Sequence, residues 1–359
     1  MTTAITEKFF ELLRYTLGEQ TDAPLISLEE WDVLNTMATE QSLLGVFYDG
    51  LQRLSKEVQL PEETVLLWFV QNEQIVGTNR AVDAAVIKVA RRFAKRGYGC
   101  CLLKGQGNAL MYPRPSARTS GDIDMWVMAP VRSLIHMAKK AMDDARPMYH
   151  HVEFCPVGDI PVEVHYRPSF MNNLIHDHRL QRWFRQMADS QCNHQVELPD
   201  GVGTVGVPTN DFNRIFQMAH ISNHVIHEGI GLRQLLDYYY LLKQGFTQEE
   251  RLHDEVLLRR FGLYTMAQAV MYVLKEAFGM KETELLVRAD ERRGRFLLKE
   301  ILTAGNFGQY DPRLADSHSQ LAKNVQRLRR DVRFLRYFPS ECLWEPIFRW
   351  YHFFWRLFH

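Results

Sequence analysis

The sequence lacks most of the features that would classify it at a glance. Its five cysteines (Cys100, Cys101, Cys155, Cys192 and Cys342) are odd in number and contain no CxxC pair. That pattern is neither a disulfide framework nor a zinc ligand set, and it fits a reducing compartment. Charge of either sign is not in excess, because 43 Lys and Arg balance 43 Asp and Glu. A dedicated polyanion binder carries a basic surplus, so nucleic acid is disfavoured as a partner. No apolar run reaches 18 residues, which excludes an ordinary transmembrane helix. The opening Met-Thr-Thr-Ala-Ile-Thr-Glu-Lys lacks the charged-then-apolar build of a signal peptide. Repeats and low-complexity segments are also missing. The expectation is a soluble, cytoplasmic protein whose oligomeric state leaves no mark on the sequence.

What is present is an ordinary globular composition over 359 residues, 46% apolar and 24% charged, with length for about two domains. Helical periodicity dominates residues 1–97. Phe9, Phe10, Leu12 and Leu13 form a stripe that runs into Gly18. Ser27 and Glu30 have the spacing of a capping box, and Pro61 opens a long helix that Gly97 ends. Over residues 98–170 the period shortens. Cys100–Leu103, Asp122–Val127, Tyr149–Phe154 and Ile160–His165 read as strands, with a helix opening at Pro130. From 171 to 359 the chain is helical again, with candidate helices at 172–190, 209–228, 231–245, 248–260, 262–279, 285–304, 316–336 and 340–358. A Gly-rich hairpin-like stretch interrupts them at 197–207. The fold class is therefore α+β: a small mixed-sheet core between an N-terminal helical segment and a C-terminal helical domain.

The carboxylates carry the chemistry. On a strand, residues two apart share a face, so Asp122 and Asp124 project together while Ile123 and Met125 point the other way. Two close carboxylates repel and raise each other's pKa. A divalent cation removes that conflict, and Mg²⁺ (or Mn²⁺) suits carboxylate and phosphate oxygens. Glu163, between Val162 and Val164, repeats the device on a second strand. If repulsion dominates, Asp124→Asn is expected to leave the melting temperature unchanged or higher. Upstream, Leu103-Lys104-Gly105-Gln106-Gly107 reads as strand, glycine turn and helix start, a setting in which free amides cradle phosphate.

Together, the strand–glycine turn–helix, the Asp-x-Asp and the later strand carboxylate resemble the polymerase-β-like nucleotidyltransferase superfamily. Leu103-Lys104-Gly105, Tyr112, Arg118 and Gly121-Asp122-Ile123-Asp124 are most similar to the bacterial "uncharacterised nucleotidyltransferase" branch. The resemblance is sharpest over about 100–167 and extends loosely to His220–Leu242, including Arg233 and Asp237. It departs at Gln106, where the superfamily usually has Gly or Ser, and the interval from Gly105 to Asp122 is long. The resemblance implies that Asp122, Asp124 and Glu163 bind metal and are catalytic. It implies that Lys104, Gly105, Gln106 and Arg118 meet the nucleotide phosphates. His220, Arg233 and Asp237 become candidates for the substrate cleft. The implied activity is transfer of a nucleoside monophosphate from an NTP to an acceptor hydroxyl, a small molecule being favoured. The alternative is a catalytically silent nucleotide-binding or protein-interaction module on the same fold.

Three further patterns have plainer readings. His220, His224 and His227 share one helix face but lack the Glu of HExxH, and read as a polar face near the cleft. Arg233 and Asp237, four apart, read as an intrahelical ion pair. The aromatic run from Leu343 to Phe358 is expected to close a helical core rather than to meet a membrane or a partner.

Overall fold

The computed structural model describes residues 3–54, 60–313 and 320–358. Four helices come first: α1 (Ala4–Leu17), α2 (Leu28–Glu40), α3 (Leu44–Leu54) and α4 (Glu62–Ala94). Their ends follow the sequence signals. Gly18 closes α1 at φ +77°, a left-handed conformation that costs glycine least. At the start of α2, Ser27 N donates to Glu30 Oε2 at 2.7 Å, satisfying an amide that the helix itself leaves free.

The α/β core follows as β1 (Cys100–Leu102), α5 (Gln106–Ala109), β2 (Ile123–Val127), α6 (Val131–Ala141), β3 (His151–Val157) and β4 (Ile160–His165). The sheet order is β1-β2-β4-β3, with β2 and β4 parallel and the other neighbours antiparallel. A parallel pair needs a crossover, which α6 and β3 supply before the chain turns at Gly158 (φ +62°) into β4. Helix α7 (Leu174–Asn193) and the hairpin β5 (Gln195–Glu197) and β6 (Thr204–Gly206) come next. The remaining helices are α8 (Asn210–His227), α9 (Leu232–Lys243), α10 (Gln248–Arg260), α11 (Tyr264–Phe278), α12 (Glu291–Ala304), α13 (Gln320–Leu335) and α14 (Pro339–Leu357).

One element differs from expectation. The helix expected from 285 starts at Glu291, because the Asp290 side chain accepts from Arg293 N at 2.9 Å and sets the N-terminus there. The first residues of the helix expected over 316–336 lie outside the described residues.

Strand parity divides the sheet between two apolar layers. Ile123, Met125, Val127 and Val164 face Val82, Val86, Val89 and Phe93 of α4. The opposite parity carries Asp124 and Trp126, and Trp126 stacks on Phe212 of α8 with ring centroids 5.9 Å apart. Helix α8 is thereby pinned over the face that bears the carboxylates. The layer on that side is continuous from Phe9 in α1 to Cys342 in α14, so the N-terminal and C-terminal helices share one core.

The aromatic segment corrects its expectation. Phe348 and Trp355 do pack inward, around Tyr149 and Phe170. Trp350, Phe354 and Phe358 instead face outward, each more than half exposed. Among the described residues no helix is long and apolar enough to cross a membrane.

Candidate active site

Register brings the carboxylates together. In the parallel β2–β4 pair Asp124 is opposite Glu163, and Trp126 is opposite His165. Because side chains two apart share a face, Asp124, Glu163 and His165 converge, with potential ligand atoms all within 4.8 Å of one another. His165 Nε2 lies 2.9 Å from Asp124 Oδ1 and 3.4 Å from Glu163 Oε2, while its Nδ1 is 3.3 Å from Arg167 O. Asp122 directly precedes β2 and borders the same recess.

Lys104, just beyond β1, reaches the cluster from the side. Its Nζ is 2.9 Å from Asp124 Oδ1 and 3.4 Å from His220 Nε2 of α8. Three carboxylates thus face an ammonium and an imidazole, and each responds to its own neighbours. Burial works to raise Asp124, but Lys104 and His165 hold its carboxyl well below the usual carboxylate range. Burial works to lower His165, yet its hydrogen bonds to Asp124 and Glu163 push it up to about 9. Asp122 has no such hydrogen-bonded partner among the described residues. The Asp124 charge beside it, with partial withdrawal from solvent, pushes it up to about 6.

The glycine turn has the expected place but a different interior. Gly105 takes φ +61° and precedes α5. Among the described residues the backbone amides of Gly105 and Gln106 have no acceptor. The Gln106 side chain turns away from the recess, and its Nε2 donates to Asp83 Oδ1 at 2.6 Å.

Arg118 lies in a buried bridge with Asp237. It is 4% exposed, and its Nε and Nη2 donate to the two oxygens of Asp237, each at 2.8 Å. Its Nη1 meets Thr119 O at 3.4 Å. Tyr112 Oη also donates to Asp237, at 2.6 Å. The two bonds to Asp237 commit Nε and Nη2 to this bridge, and Arg118 and Asp237 both border the recess that holds Asp122 and Asp124. The expected intrahelical Arg233–Asp237 pair is replaced by this longer-range bridge. Arg233 points instead toward Thr119 O, 2.8 Å from its Nη1, and its Nε has no partner among the described residues. It borders the recess that holds Asp122 and Asp124.

Above the carboxylates lies a cavity of about 590 Å³. That volume lies within the range typical of small-molecule sites. One wall is the α8 face with His220, His224 and His227, and another is the strand side with His150, His151 and His165. His352 brings the total to seven of the chain's 14 histidines around one space. Burial lowers most of them. His220 and His150 fall well below the ordinary range, and His151 and His227 fall to about 4. The third wall comes from α13 and α14, through Arg330, Asp331, Glu345, Phe348 and Arg349. Sequence reading missed His165, His150 and His151. The signal for His165 was its position two residues after Glu163, the same parity that joins Asp122 to Asp124.

The donor set fits a divalent ion. Two acidic oxygens and one imidazole nitrogen already converge, and the backbone acceptor at His165 Nδ1 is the kind of outer contact that aims the other ring nitrogen at a metal. Asp122, whose charge is the least compensated, would be the fourth donor.

Comparison with known proteins follows the geometry. Residues 27–279 match the model of a family described as an uncharacterised nucleotidyltransferase. One solved structure, of an antigenic nucleotidyltransferase-like protein from Paracoccidioides brasiliensis, is similar over 50% of this chain and 87% of its own, with 10% identity and a TM-score of 0.31. No curated protein matches the chain.

Proposed function

The chain belongs to the uncharacterised nucleotidyltransferase family, and we propose that it moves a nucleoside monophosphate from an NTP to the hydroxyl of a small-molecule acceptor. The observation that carries this reading is the pairing of Asp124 with Glu163 on adjacent parallel strands, with His165 2.9 Å from Asp124 and both Glu163 and His165 lining the cavity. Asp122, Asp124 and Glu163, with His165, would hold Mg²⁺ or Mn²⁺. Such an ion supplies charge neutralisation for the phosphates and a lower pKa for the attacking hydroxyl.

The chain's own groups divide the remaining tasks. Lys104 holds a positive charge against Asp124, where a polyphosphate would need it. Arg233 offers a guanidinium nitrogen that has no partner among the described residues. The free amides of Gly105 and Gln106 suit phosphate oxygens. Glu163 stands on the cavity side, where it would orient the acceptor hydroxyl. In the reaction the acceptor oxygen bonds to the α-phosphorus, the bond to the bridging oxygen breaks, and pyrophosphate leaves. A cavity of about 590 Å³ favours a small acceptor. The five cysteines, all free, support a reducing, NTP-containing cytoplasm as the site of action.

One observation favours a silent binding module instead: the Lys104 ammonium already lies on the Asp124 oxygen that a metal would take. Thermal shift with NTP, with and without Mg²⁺, followed by pyrophosphate release with a pool of small acceptors, separates the readings. Transfer requires Mg²⁺-dependent stabilisation by NTP and release that Asp122→Asn abolishes. Nucleotide binding that is indifferent to Mg²⁺ and to Asp122→Asn would sink the assignment.

A further inference from the structure

Helices α13 and α14 lie outside the residues that match the family, and each turns two unlike faces to its surroundings. Their inner faces pack on the body, through Phe334 in α13 and Phe348 and Trp355 in α14. Their outer faces are apolar and bare. On α13 the outer stripe is Val325, Leu328, Val332 and Leu335, with Val332 65% exposed. On α14 it is Leu343, Ile347, Trp350, Phe354 and Leu357, with Trp350 67% exposed. Both stripes advance by alternating steps of three and four, so each is one continuous line along its helix.

Scattered exposed apolar residues need no explanation, but two aligned stripes rich in aromatics do. Charge selects the occupant. The described acidic side chains of these helices, Asp331, Glu341 and Glu345, are all buried. The exposed charges on and between them are basic, including Arg329, Arg336 and Arg356. In a chain of zero formal net charge this is a local separation of sign. Arg329 and Arg336 flank the α13 stripe, one position beyond Leu328 and Leu335. A second copy laid on the same face would set arginine against arginine. An anionic lipid surface instead takes Trp and Phe at its acyl boundary and Arg at its headgroups.

We propose that the outer face of α13 and α14 is a peripheral docking surface for anionic membranes. The contact lies in the plane of the interface, since no described helix can span the bilayer. It is independent of the catalytic reading, because none of the stripe residues borders the cavity.

Flotation of the full chain with phosphatidylcholine vesicles, with and without phosphatidylglycerol, tests it. The protein is expected to float with the anionic vesicles, to stay behind with the neutral ones, and to be released by salt. Replacing Ile347, Trp350 and Phe354 together by Ser should weaken the partition roughly tenfold or more. Arg329→Glu with Arg336→Glu should do the same by charge. Both variants change exposed side chains, so their melting temperatures should match wild type; if the Ser variant does not fold, the Arg pair decides alone. Absence of flotation with anionic vesicles overturns the proposal. So does equal binding to neutral vesicles, or a dimer on size exclusion that the Ser variant dissolves while vesicle binding is absent.

Discussion

Asp122 and Asp124 stand two positions apart, share a face, and keep different company. Asp124 is 3% exposed and held by Lys104 and His165, whereas Asp122 is exposed and lies beside a charge of its own sign. The repulsion visible in the sequence therefore falls on Asp122. Asp122→Asn is expected to abolish turnover while leaving the metal-free melting temperature unchanged or slightly higher. The gain should grow as pH rises from about 4 and be complete above about pH 6, because a carboxyl raised in the folded state stabilises below its unfolded pKa and loses that contribution as pH rises through the folded one. Asp124→Asn corrects the simpler expectation of an unchanged or higher melting temperature. It takes from Lys104 its bridging carboxylate and leaves His165 with Glu163 alone, and should cost on the order of 3 kcal/mol, read by urea denaturation. Equal stability of the two variants would refute this asymmetry. The face shared by the two aspartates was legible from parity alone. Their inequality was not, because Lys104 and His165 reach Asp124 from 20 and 41 positions away and no local pattern records such contacts.

Element ends were legible wherever a capping residue marked them, as at Ser27, Pro61 and Gly18, and less so where a side chain such as Asp290 set the start. The packing of α14 was half legible. Its aromatic content signalled burial, but only the line through Phe348 and Trp355 found a partner. At the root of this helix is Glu341, 7% exposed, whose Oε2 accepts from Asn172 N at 2.6 Å while Oε1 has no partner among the described residues. Burial pushes it up to about 7. The folded state thus prefers the neutral acid, so this group stabilises fully below its ordinary pKa of 4.5 and loses that stabilisation as pH rises through about 7. Glu341→Gln supplies a permanently neutral side chain. It should raise stability at about pH 8 by on the order of 2–3 kcal/mol and leave it nearly unchanged near pH 4. A variant with the same pH slope as wild type would show that Glu341 is not the group responsible. Asp331, also pushed up to about 7 by burial and Glu345, should leave a residual slope in that variant.

For the molecule as a whole, composition and period gave the α+β class, but not how the flanking helices meet. Residue 41 shows why. Gln41 is 2% exposed, its Nε2 donates to Ile301 O at 3.3 Å, and its Oε1 accepts from Leu232 N at 2.9 Å. One N-terminal side chain thereby caps α9 and touches α12, across separations of 191 and 260 positions. In sequence it is only a polar residue after a helix. Because these contacts lie within an apolar layer running from Phe9 to Cys342, the N-terminal helices, the sheet and the C-terminal helices should unfold together. Calorimetry is expected to show one endotherm. Gln41→Leu keeps the volume but leaves Leu232 N buried without its acceptor and Ile301 O with Gly305 N alone, at a cost of about 1–3 kcal/mol. In a single cooperative unit that loss lowers the whole transition without splitting it. Were the N-terminal helices a separate unit, the variant would show an early transition of small enthalpy while the main one stayed in place, and the single-core account would fail.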